Sequence, residues 1–392
     1  MKKIGDPSNS YPVIHIAGTN GKGSTAAMLS AMLTAYGKHT GLFTSPHLIK
    51  PNERIRVGQT PVSDDFIVEH VEAWRRPIEE LGMTFFEVLT ALGMEYFKQQ
   101  QVEYAVIETG LGGRLDATNI VDPFLSIITS VSMDHENILG HDLTTIAGEK
   151  AGIIKSQRPI FLAQNPAEVI RVMEQQSETV KAPYTYVPDA VSALQVETHD
   201  LGQFLSLSVG GEQVEVDLPL LGHHQVENFT NALVGLKGLG FPLESRLIQK
   251  GLRDLRWQGR MEVLQKTPPV LYDVAHNPSG LQRLLESLRD WGRSETIIIA
   301  AFNARKNILP MIHMLSEWSG EVVYSTFSGH SAIDRDRLLA HGLPADRISE
   351  NLEQAYASAQ NLKTMNQQTI CFIGSHYLAE TLYPMFEVSD QD

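Results

Sequence analysis

The residues whose types and spacing point most directly to chemistry are Gly18-Thr19-Asn20-Gly21-Lys22-Gly23-Ser24-Thr25. They follow the β-branched run Val13-Ile14-His15-Ile16 and open a stretch, Ser24 to Tyr36, in which Met28, Leu29, Met32, Leu33 and Tyr36 recur at helical spacing. Glycines between a strand and a helix let backbone N–H groups converge on phosphate oxygens, and the helix N-terminus adds a dipole that favours anions. Lys22 can neutralise β- and γ-phosphates, while Ser24 or Thr25 brings a hydroxyl to phosphate or metal. The strict P-loop pattern is not met, because Gly18 lies too close to Gly21 and Gly23 separates Lys22 from Ser24. A plain glycine turn before a helix is the competing reading. The order of strand, loop, lysine, hydroxyls and helix favours a nucleoside triphosphate held by Gly21, Lys22, Gly23 and Ser24.

Three further groups stand at strand ends. Glu108 closes the run Tyr104–Ile107, Ser45 follows Thr40–Phe43, and His135 follows Phe124–Val131 beside Asp134. In an open α/β sheet, ligands collect at that edge. His135 taken alone favours a core or capping histidine. Lys150 taken alone reads as a helix lysine on a solvated face.

The elements that must position these groups follow one rhythm, a short buried run and then an amphipathic stretch, which predicts parallel strands with helices on both faces. The expected fold is a P-loop, doubly wound, mostly parallel α/β sheet. Around residues 191–220 the texture changes: Leu205, Leu207 and Val209 alternate with serines, and Gly210-Gly211 turns into Val214, Val216 and Leu218. This predicts an antiparallel hairpin at one edge of the first domain. From Val270 the strand–helix rhythm restarts, predicting a second, smaller Rossmann-like α/β domain. The boundary falls near Trp257–Arg260, giving domains 1–258 and 259–392.

The chain has 392 residues with 32 Lys plus Arg against 46 Asp plus Glu, a formal charge of −14. That acidity disfavours a nucleic-acid partner but leaves room for a local basic site that takes small anions. The single cysteine, Cys371, lies in an apolar run, where a buried structural thiol is expected, and no disulfide is possible within the chain. No signal or spanning segment is apparent, so a cytoplasmic monomer without membrane partners is the expectation. The acidic end Ser389-Asp390-Gln391-Asp392 is expected to fray.

The loop within Ile14–Ser24 resembles the ATP loop of the folylpolyglutamate and dihydrofolate synthase family, within the wider Mur-type ligase group. Thr44-Ser45-Pro46-His47-Leu48, Glu108-Thr109-Gly110-Leu111-Gly112-Gly113-Arg114-Leu115-Asp116-Ala117-Thr118-Asn119, Asp134-His135, Glu149-Lys150-Ala151-Gly152-Ile153, Gly259-Arg260-Met261-Glu262 and Asp273-Val274-Ala275-His276-Asn277-Pro278 extend the resemblance along nearly the whole chain. It implies ATP-dependent addition of L-glutamate to a folate through an acyl phosphate. It further implies that Glu108 and Ser45 hold one Mg2+, that Glu108 and His135 hold a second, and that Lys150 is carbamylated. Carbamylation needs a neutral amine, which burial favours.

By the same resemblance Asn228 contacts adenine, Arg260 reaches the phosphates and Asp273 meets the nucleotide, with ribose the expected contact. Their plainer readings are a cap-like asparagine, a surface ion pair for Arg260, and a structural turn around His276, since Pro278 can begin a helix. His276 is a candidate to place the incoming glutamate, and both it and an oxygen at the metal are candidates to take the amine proton. Thr84, Phe85, Leu115, Asp116 and Ala117 resemble folate-contacting segments, although Phe85 or Phe86 can equally be core. Gly374-Ser375-His376-Tyr377-Leu378 resembles a last motif near the glutamate site. Two departures stand out: only 17 residues precede Gly18, fewer than is usual in the family, and Asn303-Ala304-Arg305-Lys306-Asn307 lacks both acids of the family's acidic-lysine-acidic motif.

Overall fold

The computed structural model describes residues 5–199, 202–253, 255, 257–304, 306–329, 332–362 and 369–388. The chain divides into two compact units, residues 1–219 with 225–256, and residues 220–224 with 257–392.

In the first unit eight strands form one sheet: β1 Val13–Ala17, β2 Thr40–Phe43, β3 Ile55–Val57, β4 Thr60–Pro61, β5 Tyr104–Glu108, β6 Leu125–Ile128, β7 Ile160–Leu162 and β8 Tyr184–Tyr186. Their order is β4-β3-β2-β5-β1-β6-β7-β8, parallel except for β3 and β4. Central parallel strands are covered on both faces and so need near-continuous apolar runs, which β1, β5 and β6 supply. The chain runs from β1 outward to β2 and later returns to β5 and β6 on either side of β1. That change of direction opens a crevice at the strands' carboxyl ends, so the segments after β1, β2, β5 and β6 emerge side by side.

The helix Lys22–Ala35 is buried from Gly23 to Leu33, which explains why its apolar residues are not confined to one stripe. The helix Phe85–Gln99 packs Leu89, Leu92 and Phe97 with Phe43 and Ile55. Ile146, Ile153, Ile160 and Met173 build a separate cluster with Ile128.

The expected antiparallel hairpin is present, with a third strand added to it. β9 Val191–His199, β10 Gly202–Val209 and β11 Glu212–Leu218 form their own antiparallel sheet, in the order β11-β10-β9. The physical reason lies at the β11 edge. The amides of Glu215 and Asp217 donate to Ser245 Oγ and Gln249 Oε1 of the helix Ser245–Arg253, at 3.0 and 2.7 Å. That edge is therefore closed by side chains, and the antiparallel addition to the large sheet is β3 with β4. Phe124, expected to open a buried strand, is instead exposed, and β6 begins at Leu125.

The second unit carries β12 Glu262–Lys266, β13 Pro269–Asp273, β14 Ile297–Ala300, β15 Val322–Ser325, β16 Ile348–Ser349 and β17 Ile370–Ile373, ordered β12-β13-β17-β14-β15-β16. All pairs are parallel except β12 with β13. Leu271, Leu284, Leu288, Ile298, Leu315, Trp318 and Cys371 share its core, the thiol being fully buried as expected. Arg305 and Ser389–Asp392 lie outside the described residues. Among the described residues no helix is long and apolar enough to cross a membrane.

Candidate active site

The loop after β1 is pinned by the segment that follows β6. Thr19 N donates to Ser130 O at 2.7 Å, Thr19 Oγ1 to Ser132 O at 3.0 Å, and Thr129 Oγ1 to Asn20 O at 2.9 Å. Gly21 begins the helix with φ 88°, a left-handed backbone that disfavours any side chain. A Cβ there would also land on Asn228 Oδ1. Asn228 lies one turn into the helix His223–Gly238, buried, with its amide nitrogen donating to Gln225 Oε1 at 3.0 Å. It therefore backs the loop rather than capping a helix. Ser24 is buried in the first turn, and Lys22 Nζ folds back to donate to Thr19 O at 3.2 Å.

Lys22 Nζ also lies 3.8 Å from Glu108 Oε1. Glu108, at the tip of β5, is only 3% exposed and accepts from Ser45 N through Oε2 at 3.0 Å. Lys150, in the helix Leu143–Ala151, is likewise 3% exposed and donates from Nζ to Gly18 O at 2.8 Å. Burial first, and the Lys22 charge second, hold its amine down to about 7, with Asp134 and Asp116 pulling the other way. Lys150 is thus no solvated-face lysine. A sizeable neutral fraction at ordinary pH is what carbamate formation requires.

His135 begins the short helix Glu136–Leu139 with φ 51°, its ring part-exposed, Nε2 3.9 Å from Asp134 Oδ1. The bonds from Thr19 to Ser130 and Ser132 keep the chain leading to His135 alongside the loop. Among the described residues no group of three or more His, Cys, Asp or Glu is placed to hold a metal unaided. The expected set contains only Glu108 and His135 of those types. With a hydroxyl from Ser45, and oxygens of a carbamate were Lys150 to carry one, the donors would form an oxygen-rich set of the kind Mg2+ prefers, so the residue types fit that ion.

The candidate folate residues are arranged differently. Thr84 caps the helix Phe85–Gln99 reciprocally with Glu87: Thr84 N donates to Glu87 Oε2 at 2.7 Å, and Glu87 N to Thr84 Oγ1 at 3.3 Å. Phe85 is 59% exposed beneath the Arg54 guanidinium, 5.6 Å from the ring centroid, whereas Phe86 is half-buried and packs edge-on against the core residue Phe43. Arg54 Nε in turn donates to His47 Nδ1 at 2.8 Å. Leu115 is exposed, and Ala117 starts a short turn capped by Asp116. Asp116 accepts from Leu111 N at 2.8 Å and from Thr118 N at 3.0 Å.

A residue that motif reading passed over lies behind this turn. His15, fully buried in β1, meets Thr118 Oγ1 through Nε2 at 2.9 Å, while Thr118 Oγ1 donates to Asp116. Burial, then the Lys155 charge, holds the imidazole down to about 3. The one available signal was a histidine inside an otherwise apolar strand.

In the second unit Asp273 ends β13 almost fully buried. Its Oδ2 accepts from Met261 N at 2.9 Å and its Oδ1 from Ala275 N at 2.8 Å. Burial raises its pKa while Arg260 opposes the rise. Arg260 Nη1 donates to Gly259 O at 3.1 Å. His276 Nδ1 lies 2.9 Å from Val274 O, and Asn277 caps the helix Pro278–Asp290 by accepting from Gly280 N at 2.7 Å. Ser375 caps the turn His376–Leu378, with Tyr377 N donating to Ser375 Oγ at 3.2 Å.

The chain matches the Mur ligase middle domain over residues 16–236 and the Mur ligase glutamate ligase domain over residues 259–376. It is 32% identical over 391 residues to the dihydrofolate synthase/folylpolyglutamate synthase of Bacillus subtilis, covering 96% of this chain and 91% of that protein. A folylpolyglutamate synthase of Mycobacterium tuberculosis, solved with ADP and AMPPCP, superimposes with a TM-score of 0.93 at 32% identity, covering 99% of this chain and 94% of that one. An FPGS–AMPPCP–folate complex superimposes with a TM-score of 0.86 at 30% identity, covering 98% and 92%.

Proposed function

The chain belongs to the folylpolyglutamate synthase/dihydrofolate synthase family of Mur-type ligases, and from that membership we propose its reaction and the residues that perform it. The reaction is ATP-dependent ligation of L-glutamate to the γ-carboxylate of a folate. A carboxylate is a poor electrophile, and phosphorylation supplies its leaving group. A γ-carboxylate oxygen attacks the γ-phosphorus of ATP and ADP departs. The glutamate nitrogen then attacks the acyl carbon, inorganic phosphate leaves with the C–O electron pair, and the nitrogen loses a proton.

The observation that carries this reading is the meeting of Lys22, Ser45, Glu108 and Lys150 around one glycine loop. The loop amides and Lys22 hold the β- and γ-phosphates, and the Ser24 hydroxyl stands in the first turn beneath them. Asn228 shapes the loop from behind and lies on the adenine side, and Arg260 offers a planar multidentate fork to phosphate. Asp273 serves the nucleotide through the Met261 turn that it bonds. His276 receives or orients the incoming amine. Ser45, Glu108, His135 and a carbamate on Lys150 would hold two Mg2+ ions, which supply charge neutralisation between two approaching anions. Phe85, Leu115 and the Thr84 and Asp116–Ala117 turns face the folate.

Phosphate release tests the reading. It is expected only when ATP, a folate and glutamate are all present; release indifferent to folate and glutamate overturns ligation in favour of a simple nucleotide switch. The dihydrofolate synthase activity that the Bacillus subtilis relative's name includes extends the proposal to dihydropteroate, and the same assay with dihydropteroate as acceptor decides it.

A further inference from the structure

The turn that carries Arg260 is held in a costly shape. Gly259 has φ 67° and Met261 φ 48°, so two left-handed residues flank the arginine, and the second is not a glycine. Such a backbone persists only where its surroundings over-determine it, and functional sites are where this occurs. Two carboxylates do so here, Asp273 buried and Glu262 half-buried. Glu262 Oε2 accepts from Gly259 N at 2.7 Å, and Asp273 Oδ2 accepts from Met261 N at 2.9 Å. Val274 N adds a bond to Gly259 O at 2.9 Å. The amides on either side of Arg260 are thus each tied to a separate acid, one at the start of β12 and one at the end of β13. These strands pair antiparallel with Glu262 opposite Tyr272.

Glu262 is itself steadied. Tyr383 OH donates to the same Oε2 at 2.9 Å, and the Tyr383 ring packs edge-on to Tyr272, 6.4 Å between centroids. Tyr272 OH in turn donates to Ser375 O at 2.9 Å. Burial raises the Glu262 pKa, and the bonds from Gly259 and Tyr383 counter it. An acid kept in this setting needs a reason, since burying a carboxylate is unfavourable unless its bonds repay the loss of water.

We propose that Glu262, braced by Tyr383, is a positioning residue for Arg260: with Asp273 it clamps the strained turn so that the guanidinium fork is presented in one orientation. This rests on the assignment of Arg260 to phosphate. Glu262 touches no reacting atom in this scheme. Its effect passes wholly through the arginine.

A double-mutant cycle on the full-length enzyme separates this from a merely structural role. Glu262→Ala should lower kcat/KM for ATP by on the order of tenfold, the scale of one lost hydrogen bond to a charged group. Glu262→Gln, which keeps an acceptor for Gly259 N and Tyr383 OH, should recover most of that loss. Tyr383→Phe should give a smaller loss of the same kind. In an Arg260→Ala background, Glu262→Ala should add little, because the group it positions is gone. Full additivity of the two losses overturns the positioning role, as does a Gln variant as impaired as Ala with unchanged melting temperature. If Glu262→Ala does not fold, Tyr383→Phe carries the same cycle, its smaller loss expected to vanish in the Arg260→Ala background and full additivity overturning the role. Normal turnover by Arg260→Ala alone would instead remove the phosphate assignment, a distinguishable failure.

Discussion

The phosphate loop and the Thr84–Ala117 surface use similar residue types in opposite ways. Around the loop, polar side chains are buried and reach far along the chain: Lys150 bonds Gly18 across 132 positions, and Ser45 and Glu108 meet across 63. At the candidate folate surface, Thr84 and Asp116 spend their oxygens on backbone amides two to five residues away, and Phe85 and Leu115 point outward. The first arrangement holds charge in place before any ligand arrives, which is what phosphoryl transfer rewards. The second presents apolar surface with few fixed polar partners. Such a surface discriminates weakly, because a missing apolar contact changes affinity far less than an unpaired buried polar group.

If that contrast is right, damage should be graded. Lys22→Ala should lower the rate of folate- and glutamate-dependent phosphate release by about a thousandfold, measured at saturating ATP. Next, Lys150→Ala and the charge-retaining Lys150→Arg should each lose roughly a hundredfold, since neither can carry a carbamate. An active Arg variant would mean that position 150 contributes charge alone. Acid should act more gently. His15 has a folded pKa of about 3 against an ordinary 6.5, so the unfolded chain binds the extra proton between those values and stability drains away as pH falls through that window. The cost is on the order of a few kcal/mol, read as a steeper acid limb of the melting-temperature curve in the parent than in His15→Gln. Smallest of all, Phe85→Ala should raise KM for folate several-fold with kcat unchanged. A Phe85 effect on kcat as large as that of Lys22 would collapse the contrast.

Much of the loop side was readable in advance because its signals are local: a strand, glycines and a lysine in a fixed order, and acids at strand tips. Lys150 is instructive. Its sequence surroundings suit a solvated helix, and only the packing of the helix Leu143–Ala151 buries it against Gly18. β3 and β4 escaped notice because strands of three and two residues carry no measurable alternation. The 191–218 strands were visible as strands but not as a separate sheet, since the closing bonds come from Ser245 and Gln249, far along the chain. Phe85 and Phe86 are neighbours whose opposite fates depend on which face of one helix turn meets Phe43. The double engagement of Asp273 likewise had no trace in the motif around it, because its partner Met261 belongs to a turn twelve residues earlier.

The asparagine that fills the space behind Gly21 has a consequence for heredity. A methyl group at residue 21 would strike an amide that is itself wedged in a packed helix, so no single substitution can enlarge that position and no change at residue 228 alone can make the left-handed backbone comfortable for a larger residue. Residue 21 is thereby held to glycine whatever stands at 228, whereas residue 228 can still shrink on its own while the glycine stays.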